Sequence, residues 1–100
     1  RGLTPKGFEC VIEMKFRNDY YEKKLLEKYK YDKLMAMDED IVKLYFVNDP
    51  KANYLFWLNN LKMKETTQLW CPETTLWKSK KVLKTCYLIN ERDAIITNIN

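Results

Sequence analysis

Tyr54-Leu55-Phe56-Trp57-Leu58 is the longest unbroken apolar run in the chain, and Leu44-Tyr45-Phe46-Val47 lies just upstream across Asn48-Asp49-Pro50. Fully burying such side chains contributes roughly 1.5–3 kcal/mol each, so the pair is the candidate core around which the rest must fold. Its secondary structure is a conflict between two signals. Asp49-Pro50 has the form of an N-cap and first helical position, and Tyr54, Leu58 and Leu61 recur at helical spacing with Asn53 and Asn60 opposite. The same run also suits a central strand hairpinned to Ile41–Val47. Because the cap and the stripe agree with each other, the reading leans to a helix over this segment. Ile41–Val47 itself, apolar on both parities apart from Lys43 and rich in β-branched and aromatic residues, predicts a buried strand.

Toward the N-terminus, Phe8, Cys10, Ile12, Met14 and Phe16 alternate with Glu9, Val11, Glu13 and Lys15, which predicts a half-buried strand opening after Gly7. Asp19 and Glu22 have the spacing of a capping box, and Tyr21, Leu25, Leu26 and Tyr29 fall on one stripe, so a helix is expected next. That pattern blurs over 31–37, and Asp38-Glu39-Asp40 reads as a solvated connection. Lys62–Glu73 is polar and irregular apart from Leu69, Trp70 and Cys71, and reads as a loop. From Thr74 the composition turns β-like: 74–77, Val82–Ile89 and Ala94–Ile99, with Asn90-Glu91-Arg92-Asp93 where a hairpin loop would fall. A helix over Ser79–Ile89 is the alternative.

Together these segments predict an α+β domain: a small antiparallel or mixed sheet with one or two helices packed on one face. One hundred residues suffice for a single core, and low glycine and proline content argues against linkers. The chain opens Arg1-Gly2 without an initiator Met, which suggests a single domain, residues 1–100, excised from a longer protein. No apolar run approaches the roughly 18 residues needed to span a bilayer, so a soluble domain is expected. Cys10, Cys71 and Cys86, odd in number and widely spaced, are unlike a disulfide framework and favour a reducing compartment, cytoplasmic or nuclear.

The chemistry-bearing residues exclude more than they offer. Histidine is absent, which closes the commonest route to acid–base catalysis at neutral pH and leaves zinc without a usual ligand set. Neither Gly2 nor Gly7 opens a helix after a strand, so no phosphate loop is present. Glu9 and Glu13 share a strand face and Asp38, Glu39 and Asp40 are adjacent, yet neither set has calcium-loop spacing, and plain solvation is the better account. Cys10 and Cys86 sit in apolar alternation like core residues; Cys71 has only Lys78 and Lys80 in sequence range to activate it. The expectation is a protein that is not an enzyme and needs no metal or cofactor.

Charge is uneven. Residues 1–50 hold ten basic and ten acidic side chains, whereas 51–100 hold eight against four, so the net charge of +4 lies entirely in the second half. There Lys62, Lys64, Lys78, Lys80, Lys81 and Lys84 are interleaved with Trp57, Trp70 and Trp77. Lysines that neutralise phosphates beside rings that stack on bases are what single-stranded nucleic acid requires. The structural alternative is tryptophans in the core and lysines on strand edges.

Two functional readings follow. The first is a non-catalytic interaction and assembly module of a larger protein, using an aromatic-anchored surface, with a protein partner or the rest of its parent chain as occupant. The second is a nucleic-acid-binding domain with a basic, tryptophan-containing face in residues 57–84, using Lys78, Lys80, Lys81 and Lys84 with Trp70 or Trp77. Acidic lipid ranks below both, because no amphipathic basic helix is visible.

Overall fold

A computed structural model describes residues 2–72 and 80–100, the side chains of 71 and 72 excepted. The described residues form two sheets and one α-helix. Strands β1 (Gly2–Leu3), β2 (Glu9–Phe16), β4 (Val42–Asn48), β5 (Ala52–Trp57) and β8 (Ile96–Ile99) make a five-stranded sheet in that order. Strands β3 (Lys23–Glu27), β7 (Lys81–Asn90) and β6 (Glu65–Pro72) make a second sheet with β7 central. Among the described residues only β2 and β4 pair in parallel; β3 and helix α1 (Lys28–Met35) form the crossover between them. The α+β expectation holds in this coarse form, with the sheets dominating and the helix small.

Several segments differ from their sequence reading. Ala52–Trp57 is a strand, not a helix, and pairs antiparallel with β4 from Leu44↔Trp57 to Asn48↔Asn53. Asp49 does accept backbone N–H bonds, but from Lys51 and Ala52, at 2.8 and 2.9 Å, and so closes a tight turn between strands instead of capping a helix. The capping-box segment likewise fails: Lys23–Glu27 is a strand, because β7 supplies a complete backbone ladder to it, from Lys23↔Asn90 to Glu27↔Cys86. The helix starts only at Lys28, without a side-chain cap, over residues where the apolar stripe was blurred. Glu65–Pro72, read as a loop, is an edge strand of the second sheet whose polar residues need no apolar face. The terminal hairpin does not form either. Residues Glu91–Asp93 make a 3-10 turn, and β8 leaves β7 to pair with β5 in the other sheet. The helix alternative for Ser79–Ile89 is replaced by β7, and the expected strand at 74–77 lies outside the described residues.

The core is built on the inner face of the five-stranded sheet. Tyr45, Val47, Ala52, Tyr54 and Phe56 are all but fully buried and cluster with Leu26 and Ile89 of the second sheet, Leu34 of α1, and Leu58. The Tyr45 and Phe56 rings stack at 6.1 Å, and the Tyr45 hydroxyl donates to the Leu25 carbonyl across the two sheets. Buried polar groups are satisfied: the Lys43 ammonium, 1 % exposed, donates to the carbonyls of Asp38 at 2.7 Å and Met37 at 3.4 Å. Lys24 reaches Asp49 at 2.7 Å, with both side chains buried.

Candidate interaction surfaces

Register fixes what the other face of the five-stranded sheet carries. Side chains on one face line up across hydrogen-bonded strands in rows. One row runs Ile12, Leu44, Trp57; the next runs Met14, Phe46, Leu55, Ile96; a third runs Phe16, Asn48, Asn53, Asn98. No charged side chain occurs in the three rows, and two are wholly apolar. Phe16 and Phe46 meet edge to face at 6.1 Å between ring centroids, and the Asn48 amide donates to Asn53. Met14 is 53 % exposed and Phe16 68 %, with Ile12, Trp57 and Ile96 also open to solvent. The Trp57 indole N–H is already satisfied by Asn59 Oδ1 at 3.0 Å, so the ring offers an apolar surface with no unmet polar demand.

This arrangement inverts β2 relative to its sequence reading. Alternation there predicts the Ile12/Met14/Phe16 face inside. In the structure that face points outward, while Val11, Glu13 and Lys15 turn toward the body of the protein. Cys10, at the start of the outward face, is buried as expected of a core cysteine, and so is Cys86. β4 and β5 carry apolar side chains on both faces, so either face of β2 finds apolar neighbours beside it. An antiparallel or mixed sheet normally puts polar residues on its open face. Over the rows through Ile12 and Met14 three adjacent strands do the opposite, leaving an exposed apolar patch.

The inward face of β2 carries a charged cluster that sequence reasoning missed. Glu13 and Lys15, two residues apart, share that face, and Lys30 of α1 reaches Glu13 at 3.3 Å. Burial holds the Lys15 amine below its usual range, and the neighbouring Lys30 and Arg17 cations push it the same way against a smaller opposing effect of Glu27. Two-residue spacing on a strand was visible in the sequence; the arrival of Lys30, Glu27 and Arg17 beside it required the fold. The cluster therefore mixes three cations with the carboxylates of Glu13 and Glu27.

Of the site residues expected in the second half, Trp70 lies on β6, Lys81 and Lys84 on β7, and Lys80 just before β7. Trp70 is 68 % exposed and pairs across strands with Leu83, itself exposed. Lys80 and Lys81 are exposed, whereas Lys84 is half-buried and its ammonium lies 3.3 Å from Glu27. Trp77 and Lys78 lie outside the described residues. A cleft of about 440 Å³ opens beside this sheet, with Leu61, Met63 and Ile89 among its apolar lining and Lys62, Lys64 and Arg92 among its charged residues. Its Glu65 is held by Lys23 at 2.7 Å. Among the described residues no group of three or more His, Cys, Asp or Glu side chains could hold a metal ion, and Glu9 and Glu13 do not make one. No helix there is long and apolar enough to cross a membrane.

No protein-family model matches the chain, and neither a curated protein nor a solved structure matches it.

Proposed function

We propose that the chain is a non-catalytic interaction and assembly module whose docking surface is the outer face of the five-stranded sheet. The observation that supports this most is the inversion of β2: its apolar parity faces water while Glu13 and Lys15 face inward. A chain that exposes Met14 and Phe16 instead of burying them leaves unused a hydrophobic contribution of roughly 1.5–3 kcal/mol per side chain unless something else covers them. Trp57 and Phe16 are the aromatic anchors, since such rings carry much of the energy at protein interfaces. Cys10 and Cys86, both buried and neither in a disulfide, fit a reducing, intracellular compartment. The test is binding of the apolar dye 8-anilinonaphthalene-1-sulfonate to dilute protein, compared with a Phe16→Lys/Leu55→Glu variant. Strong enhancement in the parent and its loss in a variant that remains folded supports the reading; equal, weak enhancement in both removes it.

A second reading, nucleic-acid binding, is favoured by a different observation: the exposed Trp70 on β6, with Lys80 and Lys81 where the adjoining β7 begins. Here Trp70 and, from the sequence, Trp77 stack on bases while Lys78, Lys80 and Lys81 meet phosphates, and Lys84 is tied to Glu27. The Lys15, Arg17 and Lys30 cations are shared with Glu13 and Glu27 and are the less favoured contact for phosphate. Acidic lipid headgroups are the less favoured source of the same phosphate chemistry. Titration of tryptophan fluorescence with single-stranded oligonucleotide at two salt concentrations tests it: salt-sensitive quenching lost in Lys80→Glu/Lys81→Glu supports it, and unchanged emission removes it. Cleavage of the oligonucleotide in magnesium, abolished by Lys15→Ala, would overturn the non-catalytic assignment.

A further inference from the structure

Resting on the assembly reading above, we propose that the occupant of the outer sheet face is the same face of a second copy of this chain, related by a two-fold axis. Three features point to self-association. First, the rows through Met14 and Ile12 carry no charge, so two copies that each bear a net charge of +4 meet without like charges in the contact. Second, the polar end of the face consists of Asn48, Asn53 and Asn98, whose amides both donate and accept and can therefore pair with their own symmetry mates; a charged partner would call for charges that the face lacks. Third, the size fits a modest dimer. With roughly 150–250 Å² for a whole aromatic side chain and less for Ile, Leu and Met, the exposed fractions amount to on the order of 500 Å² per copy. Two copies then bury on the order of 1,000 Å², the lower edge of a specific interface. Stacked sheets sit about 10 Å apart with side chains interdigitating, which suits rows of Ile, Leu, Met and Phe.

Sedimentation velocity over a range from about 1 to about 300 µM tests this, a window that covers weak and moderate self-association. The parent chain should shift from monomer to dimer with concentration. Met14→Glu, which sets a charge in the apolar middle row of each copy, should stay monomeric throughout. If Met14→Glu loses its fold by circular dichroism, Ile96→Lys at the margin of the same face replaces it. A parent chain monomeric at the highest concentration, or a dimer that these variants leave intact, overturns the proposal. Dye binding separates the two levels. A monomer that still binds the apolar dye more than Met14→Glu leaves the face a docking surface for another occupant, such as a helix of a different protein. A monomer that binds no more than the variant refutes the assembly reading as well.

Discussion

The ammonium of Lys24 lies 2.7 Å from Asp49 Oδ2, both side chains are buried, and the contact joins the second sheet to the β4–β5 turn of the first. Around it the Tyr54 ring lies 4.1 Å below the Lys24 ammonium, the Tyr21 carbonyl accepts a further bond, and Glu91 Oε2 stands at 3.9 Å. Glu91 in turn accepts from the Tyr20 and Tyr54 hydroxyls at 2.7 and 3.0 Å. Two sheets with no strand in common are thus joined by a polar junction as well as by the shared core.

Breaking that junction from one side strands a buried charge. Asp49→Ala should cost about 3–5 kcal/mol in urea unfolding, and adding Lys24→Met should recover part of the loss, because removing both charges leaves nothing unpaired. A cost below about 1 kcal/mol for the single change would show the contact to be superficial.

Acid should weaken the same junction. Burial alone would raise the Asp49 carboxyl, but the Lys24 ammonium and the backbone N–H groups of Ala52 and Lys51 outweigh it and hold it below the usual range. Glu91 is lowered too, chiefly by the Tyr20 hydroxyl and further by Tyr54, against the effect of burial. Both folded values lie below the unfolded ones, so this stabilisation is complete above the ordinary carboxyl range near 4 and disappears as pH falls through the folded values. Urea midpoints should be level from about pH 7 to 5 and drop below about 4.5, with Asp49→Asn/Glu91→Gln flattening the acid limb.

Alkali acts through the buried phenols. Burial pushes the Tyr45 hydroxyl up to about 12, against the opposing effect of Arg17, and burial with the Glu91 hydrogen bond raises Tyr54 as well. For a group raised on folding, stability is intact below the unfolded value near 10 and is lost as pH climbs toward the folded one. Absorbance titration at about 295 nm should show Tyr45 and Tyr54 ionising last of the seven tyrosines, together with loss of the fold. Their ionisation while the fold persists would contradict this.

Lys15 should behave as a charge the fold would be more stable without. Its value is lowered by burial, then by Lys30 and Arg17, so charging it opposes folding at neutral pH, and stability gained by its deprotonation appears only as pH rises toward 10.5. Discounted for partial exposure, Lys15→Met should gain about 0.5 kcal/mol, or about 2–4 °C in Tm. A loss above 1 kcal/mol would make Lys15 a structural residue.

Much of the framework was legible. Alternation over Phe8–Phe16 marked β2, and apolar content on both parities marked β4. What sequence could not settle was which face of β2 turns inward, because that depends on β4 and β5 being able to serve either side. Tyr54 and Leu58 satisfied a helical stripe, while Ala52, Tyr54 and Phe56 satisfied a strand; the ladder to β4 decided it. Polar β6 had no periodic signature because it borrows its partners from β7. The charged cluster was invisible because Lys30 approaches Glu13 only through the crossover.

The outer sheet face is tested most directly by acrylamide quenching of Trp57 in a Trp70→Phe/Trp77→Phe background, followed as protein concentration is raised. Trp57 should be readily quenched in dilute solution and become progressively shielded, with a blue-shifted emission, as copies associate. Quenching that is identical at every concentration, or an indole already shielded at the highest dilution, would contradict the account.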